Sequence, residues 1–256
     1  MSRVIVGVPA RMGASRLPGK PLKRILDRTL VEHVWRRAAL CTTADVVMVA
    51  ACDEEVKAVI EGAGGRVVMT DPAIPRPGLR VAAAAKALGA GPEDVVVVVQ
   101  GDEPLIAPEM IDDAVGALRR YDDALCTCLM APCNEEEWLD PNEVKVLADL
   151  RGRALFMSRS PVPSNTRARV GPRWKQVCIF AFTMANLERF DAMAEAPYEQ
   201  CESIELLRAI EHGERVQMVE ARSMTKSVDT EQDRLAVEAL RREDPVYARY
   251  RDEPAG

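Results

Sequence analysis

Short runs in which nearly every position is apolar alternate with longer stretches in which apolar residues recur every three or four positions. The runs are Val4–Val8, Val46–Ala50, Arg66–Thr70 and Val95–Gln100, and helical spacing covers Thr29–Leu40, Asp53–Gly62 and Leu79–Leu88 between them. A strand that is apolar at every position must be buried on both faces, the condition of a parallel sheet covered by helices. Regular alternation of such strands with helices predicts an α/β fold: a Rossmann-like, doubly wound, mainly parallel sheet.

The second half is patterned differently. Leu125–Met130, Val144–Asp149, Ala154–Ser158 and Val177–Phe182 read as strands with few helices between them, which suits antiparallel pairing in a small α+β dimerisation lobe spanning about residues 125–200. Helices are expected at Met184–Met193, Glu202–His212 and Thr230–Arg242, with a strand at Val216–Glu220. The polar tail after Asp244 is expected to fray. Without a repeat, linker or low-complexity segment, residues 1–256 are expected to form a single domain.

Composition narrows the function. Apolar residues make up 48% of the 256, enough for a sizeable core, but aromatics are only 4%, too few for the stacking platforms of single-strand nucleic-acid binders. The net charge is -6 with basic residues scattered, so neither nucleic acid nor a membrane surface is an expected partner. The seven cysteines are odd in number, and Met1 leads directly into the first strand, so a reducing, cytoplasmic location is expected. Cys126 and Cys128 lie inside a strand pattern without a second pair, and read as small buried hydrophobes rather than zinc ligands. With only two histidines, His33 and His212, the chemistry must rest on carboxylates, basic residues and a metal.

Three segments carry that chemistry. The first βα turn, Pro9 to Leu22, holds two glycines, Arg11, Arg16, Lys20 and Ser15 directly after a buried strand. In open α/β sheets ligands bind beyond the carboxyl ends of the strands, so this loop is placed for phosphates. It is not a Walker A loop: five residues separate Gly13 from Gly19, and Lys20 is followed by Pro21 rather than a hydroxyl residue. Taken alone it is equally compatible with solvated basic surface. Gln100-Gly101-Asp102-Glu103-Pro104 follows the Val95–Val99 run and sets a carboxylate at a strand end, where magnesium can bind through carboxylates and substrate phosphates. Asp229, in Ser227-Val228-Asp229-Thr230, reads by itself as a helix N-cap, and becomes a metal ligand only in partnership with Asp102.

Together these segments resemble the 3-deoxy-manno-octulosonate (KDO) cytidylyltransferases. The opening V-P-A-R-M-G-A-S-R-L-P-G-K-P-L, the strand-end V-Q-G-D-E-P at Val99–Pro104 and P-N-x-V-K-V at Pro141–Val146 all follow the family pattern. So do S-R-x-x-x-P at Ser158–Pro163, E-x-x-E-S-x-E-x-L-R at Glu199–Arg208 and V-D-T-x-x-D at Val228–Asp233. The resemblance covers nearly the whole chain in order. It implies a nucleotide-diphospho-sugar transferase type of fold, a homodimer, and transfer of CMP from CTP to an acidic acceptor with release of pyrophosphate. It places Pro9, Ala10, Arg11, Ser15, Arg16, Lys20, Arg80 and Gln100 around the nucleotide. Asp102 and Asp229 would hold Mg2+ and, with Arg16 and Lys20, form the catalytic set; Arg76, Arg159, Gln176 and Glu205 would face the acceptor.

The chain departs from the family on that last side. The usual H-x-S-G-T-D-R is replaced by Pro75-Arg76-Pro77-Gly78-Leu79-Arg80, one residue shorter, and the amide expected after Glu205 is Leu206. A sugar acid needs several hydroxyl partners, and their loss lowers discrimination. The expected acceptor is therefore small and more anionic, a phosphonate such as phosphonoformate held by Arg76 and Arg80 and by the basic segment Arg167, Arg169, Arg173 and Lys175. The alternatives are KDO or a related 2-keto sugar acid under a divergent lid and, from another class, a non-catalytic nucleotide sensor.

Overall fold

The computed structural model describes residues 2–13, 16–168, 171–223, 225–241 and 243–256. In chain order it contains β1 (Val4–Ala10), a hairpin of β2 (Arg24–Ile25) and β3 (Arg28–Thr29), α1 (Leu30–Ala39), β4 (Val46–Ala51) and α2 (Glu54–Gly62). Next come β5 (Arg66–Met69), α3 (Pro77–Ala87), β6 (Val95–Val99), α4 (Pro108–Arg120), β7 (Cys126–Pro132) and α5 (Glu135–Leu139). The chain ends through β8 (Lys145–Ala148), β9 (Ala154–Ser158), β10 (Trp174–Thr183), α6 (Met184–Asp191), α7 (Pro197–Glu202), α8 (Leu207–Glu211), β11 (Val216–Glu220) and α9 (Glu231–Arg241).

The main sheet runs β11-β7-β10-β6-β1-β4-β5. β1 pairs parallel with β4 and β6, and β4 with β5, as the unbroken apolar runs predict. Successive residues of β1 and β6 serve opposite faces. Ile5, Val96 and Val98 join the core under α3 and α6, while Val4, Val6, Val8, Val95, Val97 and Val99 join the one under α1, α2 and α4. Gly7 permits the closest helix approach, since a Cβ there would lie 2.4 Å from Val81 Cγ1. β10 enters antiparallel between β6 and β7, and β8 and β9 extend from it, so the second half is the mixed region its pattern suggested. The chain lays β4 and β5 to one side of β1 and β6 to the other, opening a crevice at the carboxyl ends of β1 and β6.

Three expectations are corrected. The helix expected over Glu202–His212 is only the short α8 from Leu207 to Glu211, because Glu202 ends α7, after which Ser203 adopts a left-handed conformation (φ 53°). α4 has no counterpart among the expected elements, although Met110, Ile111, Ala114, Val115 and Leu118 recur at helical spacing and are buried. The tail after Asp244 is not frayed: Arg28 donates to the carbonyls of Tyr250 and Arg251, Arg37 pairs with Asp244, and Tyr250 is 2% exposed. Buried arginines supply the donors that the tail's polar backbone needs.

Candidate active site

Two adjoining chambers of about 600 and 280 Å³ open at the crevice, and Arg16, Pro77, Gln100, Asp102 and Asp229 line both. The smaller is walled by the first βα turn. Pro9 and Ala10 close β1, and Arg11, Arg16 and Lys20 line the turn that follows. Gly19, at φ 68°, starts the 3-10 turn Lys20–Leu22 and fixes the backbone from which Lys20 reaches in. Gly101 lets the end of β6 lie against that of β1, since a Cβ there would meet the Pro9 carbonyl oxygen at 2.6 Å. Ser15 lies outside the described residues.

Asp102 and Asp229 meet at the seam. The Val228 amide donates to the Asp102 carbonyl at 2.9 Å, tying the segment before α9 to the end of β6. The amides of Asp229 and Thr230 donate to the Asp233 carboxylate, so Asp233 serves the start of α9 and the Asp229 side chain faces the cleft. This removes the N-cap reading of Asp229. Lys20 Nζ stands between the pair, 2.8 Å from Asp102 Oδ2 and 3.1 Å from Asp229 Oδ1, and Arg16 reaches the same Asp229 oxygen at 3.0 Å. Burial lowers the Lys20 pKa, but the two carboxylates outweigh it and the net shift is upward. Two carboxylates already bracketing a cation form the oxygen donor set that suits a hard divalent ion completed by phosphates.

The larger chamber is lined by Arg159, Gln176 and Glu205, as the resemblance implies, and by Arg76. Arg76, however, is not a free cation. It pairs with Glu195 and with Glu199, which is 1% exposed and is also gripped by Arg208 at 2.7 and 2.8 Å. Arg80 is absent from both linings. Its guanidinium is buried and donates to Thr70 Oγ1 and to the carbonyls of Asp71 and Ile74, so it braces the loop before α3 and does not reach the smaller chamber. Two cations of the basic segment are neutralised too: Lys175 pairs with Glu137 and Glu143, and Arg173 pairs with Glu135 and stacks on Trp138. Arg169 lies outside the described residues.

Arg159 is locked at the wall by the carboxylate and carbonyl of Glu202, which also accepts from Ser158. Glu205 keeps some exposure, but its Oε1 is buried without a hydrogen-bond partner among the described residues, and burial pushes the carboxyl up to about 7. Sequence reasoning missed Glu103, Asn142, Glu143 and Cys178 on this wall. Glu103 adjoins Asp102 in the strand-end motif and so was within reach; burial and the Asp102 charge push it up to about 7, and Thr225 donates to it. Cys178 reaches the chamber beside a β-bulge in β10, which no local signal announces. Neither histidine lines a chamber: His33 is buried between Tyr250 and the Ile25 carbonyl, and His212 contacts the Ala194 carbonyl.

The geometry has known counterparts. The family model described as Cytidylyltransferase matches residues 5–216. A 3-deoxy-manno-octulosonate cytidylyltransferase of Myxococcus xanthus (strain DK1622) is 38% identical over 94% of this chain and 97% of its own length. An 8-amino-3,8-dideoxy-manno-octulosonate cytidylyltransferase of Shewanella sp. (strain W3-18-1) is 36% identical over 90% and 95%. Among solved structures, CMP:2-keto-3-deoxy-manno-octonic acid synthetase complexed with CTP superposes with a TM-score of 0.87 at 31% identity, covering 94% of this chain and 99% of that one.

Proposed function

The chain belongs to the 3-deoxy-manno-octulosonate cytidylyltransferase family, and on that premise we propose that it transfers CMP from CTP to a 2-keto-3-deoxy sugar acid. That it is a CTP-dependent nucleotidyltransferase follows from the family; the acceptor is our reading. The observation that carries it is the chamber beyond the carboxylate seam. It is about 600 Å³, and around Arg159 it offers Asn142, Gln176, Ser203, Glu205 and Ser227, groups that exchange hydrogen bonds with several hydroxyls. A phosphonate is the expectation from the lost hydrogen-bonding side chains of the H-x-S-G-T-D-R stretch and from Arg76 and Arg80 read as free cations. With Arg76 neutralised by Glu195 and Glu199 and Arg80 turned inward, the part resting on free cations lapses.

The chemistry joins two anions, so the protein must neutralise and align them. Arg11, Arg16 and Lys20 would receive the triphosphate in the smaller chamber, with Pro9, Ala10 and Gln100 around the nucleotide. Arg159 would draw the acceptor's carboxylate while the polar wall fixes its hydroxyls, aiming one oxygen at the α-phosphorus in line with departing pyrophosphate. Magnesium held by Asp102 and Asp229 would neutralise charge on the α-phosphate and the attacking oxygen. The retained carboxylate pair supports an enzyme over a nucleotide sensor.

The test is pyrophosphate release from CTP and magnesium with KDO, its 8-amino analogue and phosphonoformate offered separately. Release with a sugar acid alone supports the reading. Release with phosphonoformate alone overturns the acceptor assignment, and CTP binding without release from any of the three points to the sensor. We also propose a homodimer through the second-half lobe, where Leu139 and Leu155 are 57% exposed and Leu150 is fully so; sedimentation as a monomer at micromolar concentration would refute it.

A further inference from the structure

We propose that Lys20 is the resident counter-ion of the carboxylate pair, occupying the divalent-cation position until a triphosphate draws it away, so that the metal enters with the nucleotide and not before it. This rests on the assignment of Asp102 and Asp229 as the metal carboxylates.

The geometry is specific. Nζ touches one oxygen of each carboxylate, at 2.8 and 3.1 Å. A divalent ion that Asp102 and Asp229 would hold through these oxygens would compete with the ammonium for them. One site cannot hold both cations. The charge count agrees, because two carboxylates face two cations, Lys20 and Arg16, and the seam is already neutral. A free divalent ion must therefore displace the Lys20 ammonium and the Arg16 guanidinium from the pair while giving up its own water. A triphosphate changes the balance: its oxygens bring about four negative charges into the chamber that Lys20 and Arg16 also line, and offer both of them new partners.

The fold lets the side chain move without the backbone. Lys20 is anchored by its own amide, which donates to the Leu17 carbonyl at 3.0 Å, and by the Lys23 amide, which donates to its carbonyl at 3.1 Å. Its side chain is 17% exposed, so its release from the carboxylates needs only rotation about that fixed root. Arg16, 53% exposed and also bonded to Asn142 Oδ1 at 2.6 Å, is the looser of the two cations. Lys20 is thus a positioning residue twice over. It holds the two carboxylates together before substrate arrives and releases them as a preformed pair.

The experiment is Mn2+ binding by electron paramagnetic resonance on wild type, Lys20→Met and Lys20→Arg, with and without CTP and with no acceptor present. Without CTP, Lys20→Met should bind Mn2+ at least about tenfold more tightly than wild type, and Lys20→Arg should bind it as weakly as wild type. With CTP, wild type should bind at least about tenfold more tightly than without it. Equal nucleotide-free affinity in wild type and a folded Lys20→Met, with CTP-dependent binding intact in wild type, overturns this inference and leaves the proposed function standing. CTP-dependent Mn2+ binding that Asp102→Asn leaves unchanged overturns the metal assignment and this inference with it.

Discussion

The two walls of the cleft both carry arginines, yet they use them in opposite ways. On the nucleotide wall Arg16 and Lys20 lean on the carboxylates of the seam from partly exposed positions, and a polyanion can recruit them. On the side of the larger chamber Arg76, with Arg208 behind it, clasps Glu199, whose side chain has no exposure, and none of the three is available without leaving a buried charge behind. An exposed pair contributes at most about 1 kcal/mol, while breaking a buried one costs about 3–5 kcal/mol. A cation in a motif therefore says little until its partner is known.

The comparison breaks most readily at the seam. Asp102→Asn should lower turnover about 10³-fold, because it removes a carboxylate that would hold the magnesium against the reacting phosphate, and should shift the thermal midpoint little. Near-normal turnover would remove Asp102 from the chemistry. Arg208→Ala tests the other wall. It leaves Glu199 buried with Arg76 alone and should destabilise the fold by about 3 kcal/mol in denaturant melts. A neutral result would mean that the acceptor-wall arginines are as loosely held as those opposite.

Glu205 sharpens the contrast through pH. Burial pushes its carboxyl up to about 7, against the pull of Arg76 and Arg208 and with help from Glu199 and Asp191. An acid whose folded pKa exceeds its ordinary value of 4.5 contributes stability that is complete below 4.5 and lost as pH rises through about 7. Wild-type stability should thus fall across that window. Glu205→Gln should flatten the fall by about 1–3 kcal/mol. Identical pH profiles for the two proteins would show that Glu205 is already ionised, held by the neighbouring guanidiniums.

The contrast also explains what could be read from sequence. The parallel strands were legible because burial on both faces leaves no polar position in Val95–Val99 or Val46–Ala51, and the strand-end turns that they position were legible with them. Asp102 was visible at its strand end; its meeting with Asp229 was suggested only by the family resemblance, since the bond from the Val228 amide to the Asp102 carbonyl spans more than a hundred residues. Arg76 and Arg80 misled for the same reason. The carboxylates that neutralise Arg76 come from α7 and the turn before it, about 120 residues on, and Arg80 turns toward backbone carbonyls that no side-chain pattern records. The tail failed similarly: polar composition suggested fraying, while Arg28 in β3, Arg37 in the last turn of α1 and Arg241 at the end of α9 bind it.

The finest test is Arg16→Ala, where the two walls predict opposite outcomes for the same kind of change. Arg16 has an ion pair at 3.0 Å and a hydrogen bond at 2.6 Å, so by contact distance alone it resembles Arg208. Its side chain is 53% exposed, however, against 4% for Arg208, so water recovers most of what either contact supplies. The substitution should change stability by less than about 1 kcal/mol while raising the KM for CTP several-fold, because a phosphate partner is lost only when nucleotide is bound. If melting instead drops as far as in Arg208→Ala, exposure is the wrong guide and distance the right one. If neither stability nor KM moves, Arg16 is a bystander, and Lys20 with Arg11 must receive the triphosphate alone.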